Sequence, residues 1–301
     1  MSGGIPEAFR NAVVALGNFD GFHLGHQAVV GRAVARAAHE GRPALVATFD
    51  PHPVSFFRPD AAPFRLTSLD QRQALFAGAG ADAMLVFAFD GALAATSAEA
   101  FVRLLAEEIG AAAVVTGEDF TFGAKRGGDA AFLREEGRRL GLAAETVGPV
   151  ALGPEIVSSS RIRQALVHAD PATATRLLTR AFAIRGTVQH GDKRGRELGY
   201  PTANLVLGDY QRPSYGIYAV QVRLPDGSER AGVASLGVRP TFDPPVELLE
   251  TYLFDWSGDL YGQEIEVALH HYLRPEQRFD GLEPLTEQMR ADEAEARRLL
   301  L

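Results

Sequence analysis

Between Asn11 and about Leu142, short apolar runs alternate with stretches in which apolar residues return every three or four positions. The runs Ala12–Leu16, Ala44–Phe49, Ala83–Phe89 and Ala113–Thr116 are bounded by Gly, Asp or Pro and predict buried β-strands. Leu24–His39, Leu69–Ala77, Ser97–Ile109 and Ala130–Leu140 predict amphipathic helices between them. Such alternation predicts a parallel sheet wound with crossover helices. Ser158–Leu178 reads as helical throughout, with Asp170-Pro171 restarting a helix at its first turn.

Beyond about Arg180 the pattern changes. Phe182–Val188, Gly216–Arg223, Arg230–Leu236, Glu247–Phe254 and Ile265–Leu273 are β-rich and separated by turn formers such as Pro225-Asp226-Gly227. That spacing predicts a small antiparallel β-barrel. In the tail, Leu282, Leu285, Met289, Ala296 and Leu300 share one helical face and predict a packing helix. No repeat or low-complexity linker intervenes, so the sequence predicts two domains, 1–180 and 181–301, joined directly.

Composition narrows the classes. The 301 residues are 46% hydrophobic and 23% charged, which excludes a disordered or fibrous chain. The net charge of −8 argues against a nucleic-acid binder, whose footprint would be basic, and makes small molecules the expected partners. With no cysteine there is no disulfide framework, thiolate zinc site or cysteine nucleophile, and a reducing, cytoplasmic address is expected. No apolar window reaches the roughly 18 residues of a membrane span, and Met1–Arg10 does not read as an export signal. Oligomeric state is not legible.

The first chemical constellation, Gly17-Asn18-Phe19-Asp20-Gly21-Phe22-His23-Leu24-Gly25-His26, leaves the first strand and opens the first helix. A helix N-terminus offers free N–H groups and a positive dipole end, and glycines let an anion approach the backbone. Two histidines three apart add donors for charge developing on a phosphoryl group. A metal pair is the competing reading, but no carboxylate stands at a matching helical spacing.

Here the residues carry a resemblance. His23-Leu24-Gly25-His26 resembles the H-x-G-H signature of nucleotidyltransferases, and the longer run is similar to the adenylyltransferase half of the bifunctional prokaryotic riboflavin kinase/FAD synthetase family. Three later runs resemble the same family: Thr48-Phe49-Asp50-Pro51-His52-Pro53; Gly117-Glu118-Asp119-Phe120-Thr121-Phe122-Gly123 with Arg126; and Val157-Ser158-Ser159-Ser160-Arg161-Ile162-Arg163. The resemblance implies a Rossmann-like nucleotidyltransferase domain. It implies ATP binding by Gly17, Phe19, Asp20, Gly25, His26, Ser159, Ser160, Arg161 and Arg163, and flavin binding by Asp50, His52, Asp119, Phe120, Phe122 and Arg126. His23, His26 and Arg161 would be catalytic. Ser160 stands where the family usually has Thr, a change that keeps the hydroxyl. On the residues alone, Asp50 and His52 also fit a structural turn, and Ser158–Ser160 also fit a helix cap.

The second constellation is Gly186-Thr187-Val188-Gln189-His190-Gly191-Asp192-Lys193-Arg194-Gly195-Arg196-Glu197-Leu198-Gly199-Tyr200-Pro201-Thr202-Ala203-Asn204. It resembles the riboflavin kinase signature G-x-V-x-x-G-x-x-x-G-R-x-L-G-[FY]-P-T-A-N, and the segments around Arg239, Glu250 and Arg274–Asp280 follow the same family. The resemblance implies ATP binding by Gly186, Gly191, Lys193, Thr202 and Asn204, with Mg²⁺ on Thr202 and Asn204. It also implies flavin contact by Arg239 and Glu250, Glu250 being the base for the ribityl hydroxyl. A hydroxyl and an amide oxygen are hard ligands of the kind Mg²⁺ takes when phosphates supply the rest. Of the 30 basic residues only Lys125 and Lys193 are lysine, each beside Arg in a Gly-rich loop. A compact point charge preferred there and chance are both open.

The expectation is therefore a bifunctional enzyme that phosphorylates riboflavin with ATP to FMN and adenylylates FMN with ATP to FAD. Flavin-dependent apoproteins are the expected recipients. Two rivals are a nucleotide transfer to another phosphorylated acceptor and a flavin-binding regulator without turnover.

Overall fold

The computed structural model describes residues 5–190, 199–239 and 246–301. The chain falls into two compact units, Met1–Ala62 with Leu69–Ser158, and Pro63–Ser68 with Ser159–Leu301.

The first unit runs β1 (Val13–Leu16), α1 (Leu24–Glu40), β2 (Ala44–Asp50), α2 (Pro53–Phe57), α3 (Leu69–Gly78), β3 (Ala83–Ala88), α4 (Gly91–Ala95), α5 (Ala98–Arg103), β4 (Ala113–Gly117), α6 (Ala130–Arg139) and β5 (Ala143–Val147). A turn of π-helix, Leu104–Glu108, prolongs α5. A hairpin, β6 (Ala151–Leu152) and β7 (Glu155–Ile156), follows. The five-stranded sheet has the order β3-β2-β1-β4-β5, every pair parallel.

Side chains alternate across the sheet, so Val13 and Ala15 face Val30, Ala33 and Phe76, while Val14 and Leu16 face Phe101, Val102 and Leu133. Burial on both faces gives β1, β2 and β4 their unbroken apolar runs. Each fully buried Leu or Phe among them contributes about 1.5–3 kcal/mol. Strand order turns outward in both directions from β1 and β4, and a crevice at the carboxyl ends of such strands is where a ligand fits. The loops after β1, β2 and β4 all leave the sheet at that end.

The second unit contains α7 (Ser159–Val167), α8 (Pro171–Leu178), β8 (Phe182–Thr187), β9 (Thr202–Val206), β10 (Gly216–Arg223), β11 (Glu229–Arg239), β12 (Val246–Leu253), β13 (Glu264–Arg274) and α9 (Leu282–Leu300). The helical stretch expected over 158–178 is two helices, the second restarting at Asp170-Pro171 as expected. Ala169 takes a left-handed φ of 57°, and Asp170 then caps α8 by accepting from the Thr173 N–H at 2.8 Å. The Thr173 hydroxyl first, and then this backbone N–H, stabilise the ionised carboxyl and hold it below its ordinary pKa.

The six antiparallel strands, in the order β8-β13-β10-β11-β12-β9, form a curled half-barrel sheet. Gln189, just past β8, donates its N–H to the Asn204 carbonyl at 2.9 Å and so links the two sheet edges. Ala296 and Leu300 of α9 pack on Ala219, Tyr252, Phe254 and Leu273. Two arginine forks fasten this helix. Arg274 bonds both oxygens of Asp292 at 2.8 and 2.7 Å, and Arg297 bonds both oxygens of Asp255 at 2.7 and 3.0 Å with its guanidinium over Phe254.

Pro63–Ser68, early in the chain, belongs to this second unit. Arg65 donates its N–H to the Asp209 carbonyl at 3.0 Å and accepts from the Gln211 N–H at 2.8 Å, while Arg163 Nε donates to the Phe64 carbonyl at 2.8 Å.

Candidate active sites

At the end of β1 the chain makes a tight turn in which Phe19 (φ 50°), Gly21 (φ 86°) and Phe22 (φ 44°) are all left-handed. Non-glycine residues rarely adopt this conformation, and it persists where the surroundings over-determine it. The turn delivers His23 to the N-cap of α1, where its Nδ1 accepts from the His26 N–H at 3.3 Å. A neutral His23 therefore carries its proton on Nε2 and keeps a donor there. The His23 and His26 rings stack with centroids 3.6 Å apart, and Phe19 meets His26 edge-on at 5.4 Å. Gly25 lies against this stack, where a Cβ would sit 3.2 Å from the His23 ring and press it by a few tenths of an ångström. Asp20 and His23 are buried and His26 is half-buried. Two imidazoles thus stand at the N-terminus of a 17-residue helix, a place that favours an anion.

The loop after β2 is tied to this turn. Thr48 Oγ1 donates to the Asn18 carbonyl at 2.8 Å, and Arg72 Nη1 donates to both Thr48 Oγ1 and the Asn18 carbonyl, at 2.9 and 3.2 Å. The second Arg72 nitrogen lies 3.8 Å from Asp50. Arg72 is only 2% exposed, so its guanidinium is an internal strut between the segments that end β1 and β2. The motif reading missed it. The available signal was position: Arg72 shares a helical face with the buried Phe76, four residues on, where an apolar residue was due. His52 accepts from the Val54 N–H at 3.1 Å and caps α2, so it fills the structural part of its expected role.

Arg72→Lys keeps the charge and loses the fork. Leaving buried acceptors short of a donor costs about 1–3 kcal/mol. The expected result is a thermal midpoint lowered by roughly 2–4 °C for each kcal/mol lost, read by calorimetry.

After β4, the Phe120 and Phe122 rings stack at 5.9 Å, and Phe122 pairs through its backbone with Gly128 in both directions at 2.9 and 3.0 Å. Lys125 and Arg126 are exposed and both left-handed, at φ 54° and 57°; Asp119 is exposed too. Aromatic residues outside the motifs join the array. Phe56 and Phe57 of α2 are exposed and meet Phe89 edge-on at 5.5 and 5.8 Å, and Phe89 in turn meets Phe49. Two adjacent phenylalanines in an otherwise polar stretch were the sequence signal for them.

In the second unit α7 opens at Ser159, which puts Ser159 and Ser160 in its first turn and Arg161 half-buried just behind. Arg163 stacks over Phe64 at 5.0 Å, so one of its donors is engaged there.

The kinase-like constellation is built by register. Asn204 of β9 stands opposite Glu250 of β12, and Glu250 stands opposite Ser235 of β11, giving a row across three strands. Thr202, two residues from Asn204, shares its face. Asn204 is buried, and its Oδ1 has no hydrogen-bond partner among the described residues. A buried acceptor of this kind fits a hard cation or a donor on a ligand. Among the described residues no group of three or more His, Asp or Glu could hold a metal, so a cation here would take most of its ligands from phosphates and water. Glu250 is half-buried, and Gly186 lies on β8 opposite Ile265. Gly191 and Lys193 lie outside the described residues, as does the Arg239 side chain.

Among the described residues no helix is long and apolar enough to cross a membrane. A family of FAD synthetases matches residues 5–161, and a riboflavin kinase family matches residues 178–300. A "Bifunctional riboflavin kinase/FMN adenylyltransferase" of Pseudomonas fluorescens is 44% identical, covering 96% of this chain and 93% of the relative. One of the same description from Escherichia coli K12 is 38% identical, covering 96% and 92%. A Streptococcus pneumoniae crystal structure titled as a macrolide-efflux protein superposes with a TM-score of 0.87 at 30% identity, over 98% of this chain and 96% of that one. The turn, the histidine stack and the strand row thus occur in a chain that, along almost its whole length, belongs to the bifunctional riboflavin kinase/FMN adenylyltransferase family, with an FAD synthetase domain followed by a riboflavin kinase domain.

Proposed function

We propose that this chain makes FAD from riboflavin in two ATP-dependent steps, each with its own residues. The observation that carries the reading is that two families of different description match successive stretches of the chain, each stretch carrying its own candidate anion-binding motif.

In the kinase step, Glu250 takes the proton of the terminal ribityl hydroxyl. The new bond joins that oxygen to the γ-phosphorus, the β–γ bridge breaks and ADP leaves. Thr202 and Asn204 hold the Mg-ATP side of the row; Gly186, Gly191 and Lys193 contribute to ATP binding in this reading, and Arg239 to flavin binding. Mg²⁺, when bound, neutralises charge on the transferring phosphates.

In the adenylyl step an FMN phosphate oxygen attacks the α-phosphorus and pyrophosphate leaves. That phosphate is already ionised near neutral pH, so no base is needed. His23 and His26 stabilise the charge that develops, and Gly17, Phe19, Asp20 and Gly25 shape the turn. Ser159, Ser160, Arg161 and Arg163 bind ATP phosphates in this reading, Arg161 with a catalytic part. Asp50, His52, Asp119, Phe120, Phe122 and Arg126 receive the flavin. The functional domains are 1–180 and 181–301. The family matches leave 162–177 unassigned, and α7 and α8 pack within the second unit. The absence of cysteine from the whole chain supports a cytoplasmic setting, with flavin-dependent apoproteins as recipients.

Wild-type protein given riboflavin, ATP and Mg²⁺ is expected to yield FMN and then FAD on chromatography, with both products lost in EDTA and regained with Mg²⁺. Asn204→Ala is expected to raise the Mg²⁺ concentration needed for the kinase step about tenfold or more, while leaving that of the adenylyl step unchanged. Equal Mg²⁺ curves for the variant and wild type would refute the metal-side assignment.

A further inference from the structure

Sheet order fixes a direction for the kinase acceptor. Strand β12 lies between β9 and β11, so Glu250 has Asn204 on one side and Ser235 on the other. Neighbouring strands are roughly 4.8 Å apart, which makes Asn204, Glu250 and Ser235 a row of polar groups roughly 10 Å long on one face. If Asn204 marks the phosphate donor and Glu250 the hydroxyl that attacks it, the rest of the acceptor must extend away from Asn204, over β11. There Ser235 is half-buried, and its Oγ donates to Glu276 Oε1 at 3.4 Å. The Glu276 carboxylate lies over Gly237, close enough that a Cβ on Gly237 would collide with both oxygens. Gly237 leaves room there for the carboxylate of the exposed Glu276 side chain.

We propose that Ser235 and Glu276 are the specificity-determining contacts for the secondary hydroxyls of the acceptor's polyol chain. A hydroxyl that both donates and accepts, next to a carboxylate that only accepts, matches a chain of vicinal hydroxyls, each of which is donor and acceptor. An apolar chain of equal length would offer neither group a hydrogen bond, and sites built to bond a substrate hydroxyl discriminate against analogues that lack it. The inference deepens the kinase reading above and rests on the assignment of Asn204 and Glu250. It adds that the ribityl segment, apart from the flavin ring, is read by residues of β11 and of the segment after β13.

The test uses full-length protein and two acceptors: riboflavin, and a flavin whose side chain is an unbranched 5-hydroxypentyl group, which keeps the primary hydroxyl and lacks the secondary ones. Kinetic constants are measured for wild type, Ser235→Ala, Glu276→Gln and the double variant. Turnover of the hydroxypentyl flavin by the same samples reports that the kinase part is folded. The expected result is a kcat/KM for riboflavin lowered about tenfold in each single variant, carried mainly by KM, with the hydroxypentyl flavin unaffected. The preference of wild type for riboflavin would then collapse in the double variant.

A loss of the same factor with both acceptors would mean that the pair only supports the strand, and it would overturn the proposal, as would unchanged riboflavin kinetics. Glu250→Gln is run alongside and is expected to lose turnover with both acceptors. Retained turnover there would refute the base assignment itself, whatever Ser235 and Glu276 do, so the two failures are distinguishable.

Discussion

Protein carrying His26→Ala is expected to turn riboflavin into FMN at the normal rate and to stop there. FAD formation should fall by at least about a hundredfold, the size seen when one preorganised donor to a transition-state charge is removed. Three observations separate this from a folding defect. The bond from residue 26 to His23 Nδ1 uses the backbone N–H and survives the change. Alanine is a better helix former than histidine, so α1 is not weakened by propensity. His26 is half-buried and contributes a ring stack and one aromatic edge, so its loss opens little of the core. Chromatography of flavins from riboflavin and ATP reads both steps in one tube, as accumulated FMN with little FAD. FAD appearing at the wild-type rate would remove His26 from the chemistry, and loss of FMN as well would mean that the variant had damaged the whole chain.

Glu250→Gln is expected to do the reverse. The amide keeps the shape and much of the hydrogen bonding of the carboxylate within β12, but it cannot accept a proton at neutral pH. Positioned general bases supply about 10²–10⁴-fold in rate, and riboflavin phosphorylation should fall by that factor. Supplied FMN should still be converted to FAD. The substitution leaves the backbone register with Asn204 and Ser235 untouched, so altered stability is not part of the expectation. Persisting phosphorylation would refute the assignment, and failure of supplied FMN to become FAD would show that the two steps share Glu250.

The sequence's apolar pattern found β1 to β4 and most strands of the second unit, and missed β5, β9 and the short β6–β7 hairpin. β5 carries Glu145 and Thr146 and is the edge strand of its sheet, where a polar residue costs little. β9 is hidden differently. Its Pro201-Thr202-Ala203-Asn204 start reads as a turn, because residues chosen for ligand chemistry override strand propensity there. The restart of α8 was legible in Asp170-Pro171, whereas the left-handed Ala169 just before it leaves no mark in composition. In the sites, linear motifs made His23, His26 and Asn204 legible, because the chemistry sits within a few residues. Arg72 and the Ser235–Glu276 pair were not legible as site residues, since each acquires its neighbours only through tertiary packing: Arg72 reaches back to Asn18, and Glu276 crosses to another strand.

The brief excursion of Pro63–Ser68 has a consequence for how such a protein could be divided. Along the chain the two units are interleaved, not consecutive: the first unit is left at Ala62, resumed at Leu69 and left again after Ser158. A scission at either the end of the first family match or the start of the second would strand Arg65 on one fragment and its backbone partners Asp209 and Gln211 on the other. Translation imposes the same delay, for Arg65 emerges more than a hundred residues before those partners exist. A gene split at its apparent seam would therefore encode a second fragment lacking a piece of its own structure, so the two activities are harder to part than the order of their motifs implies.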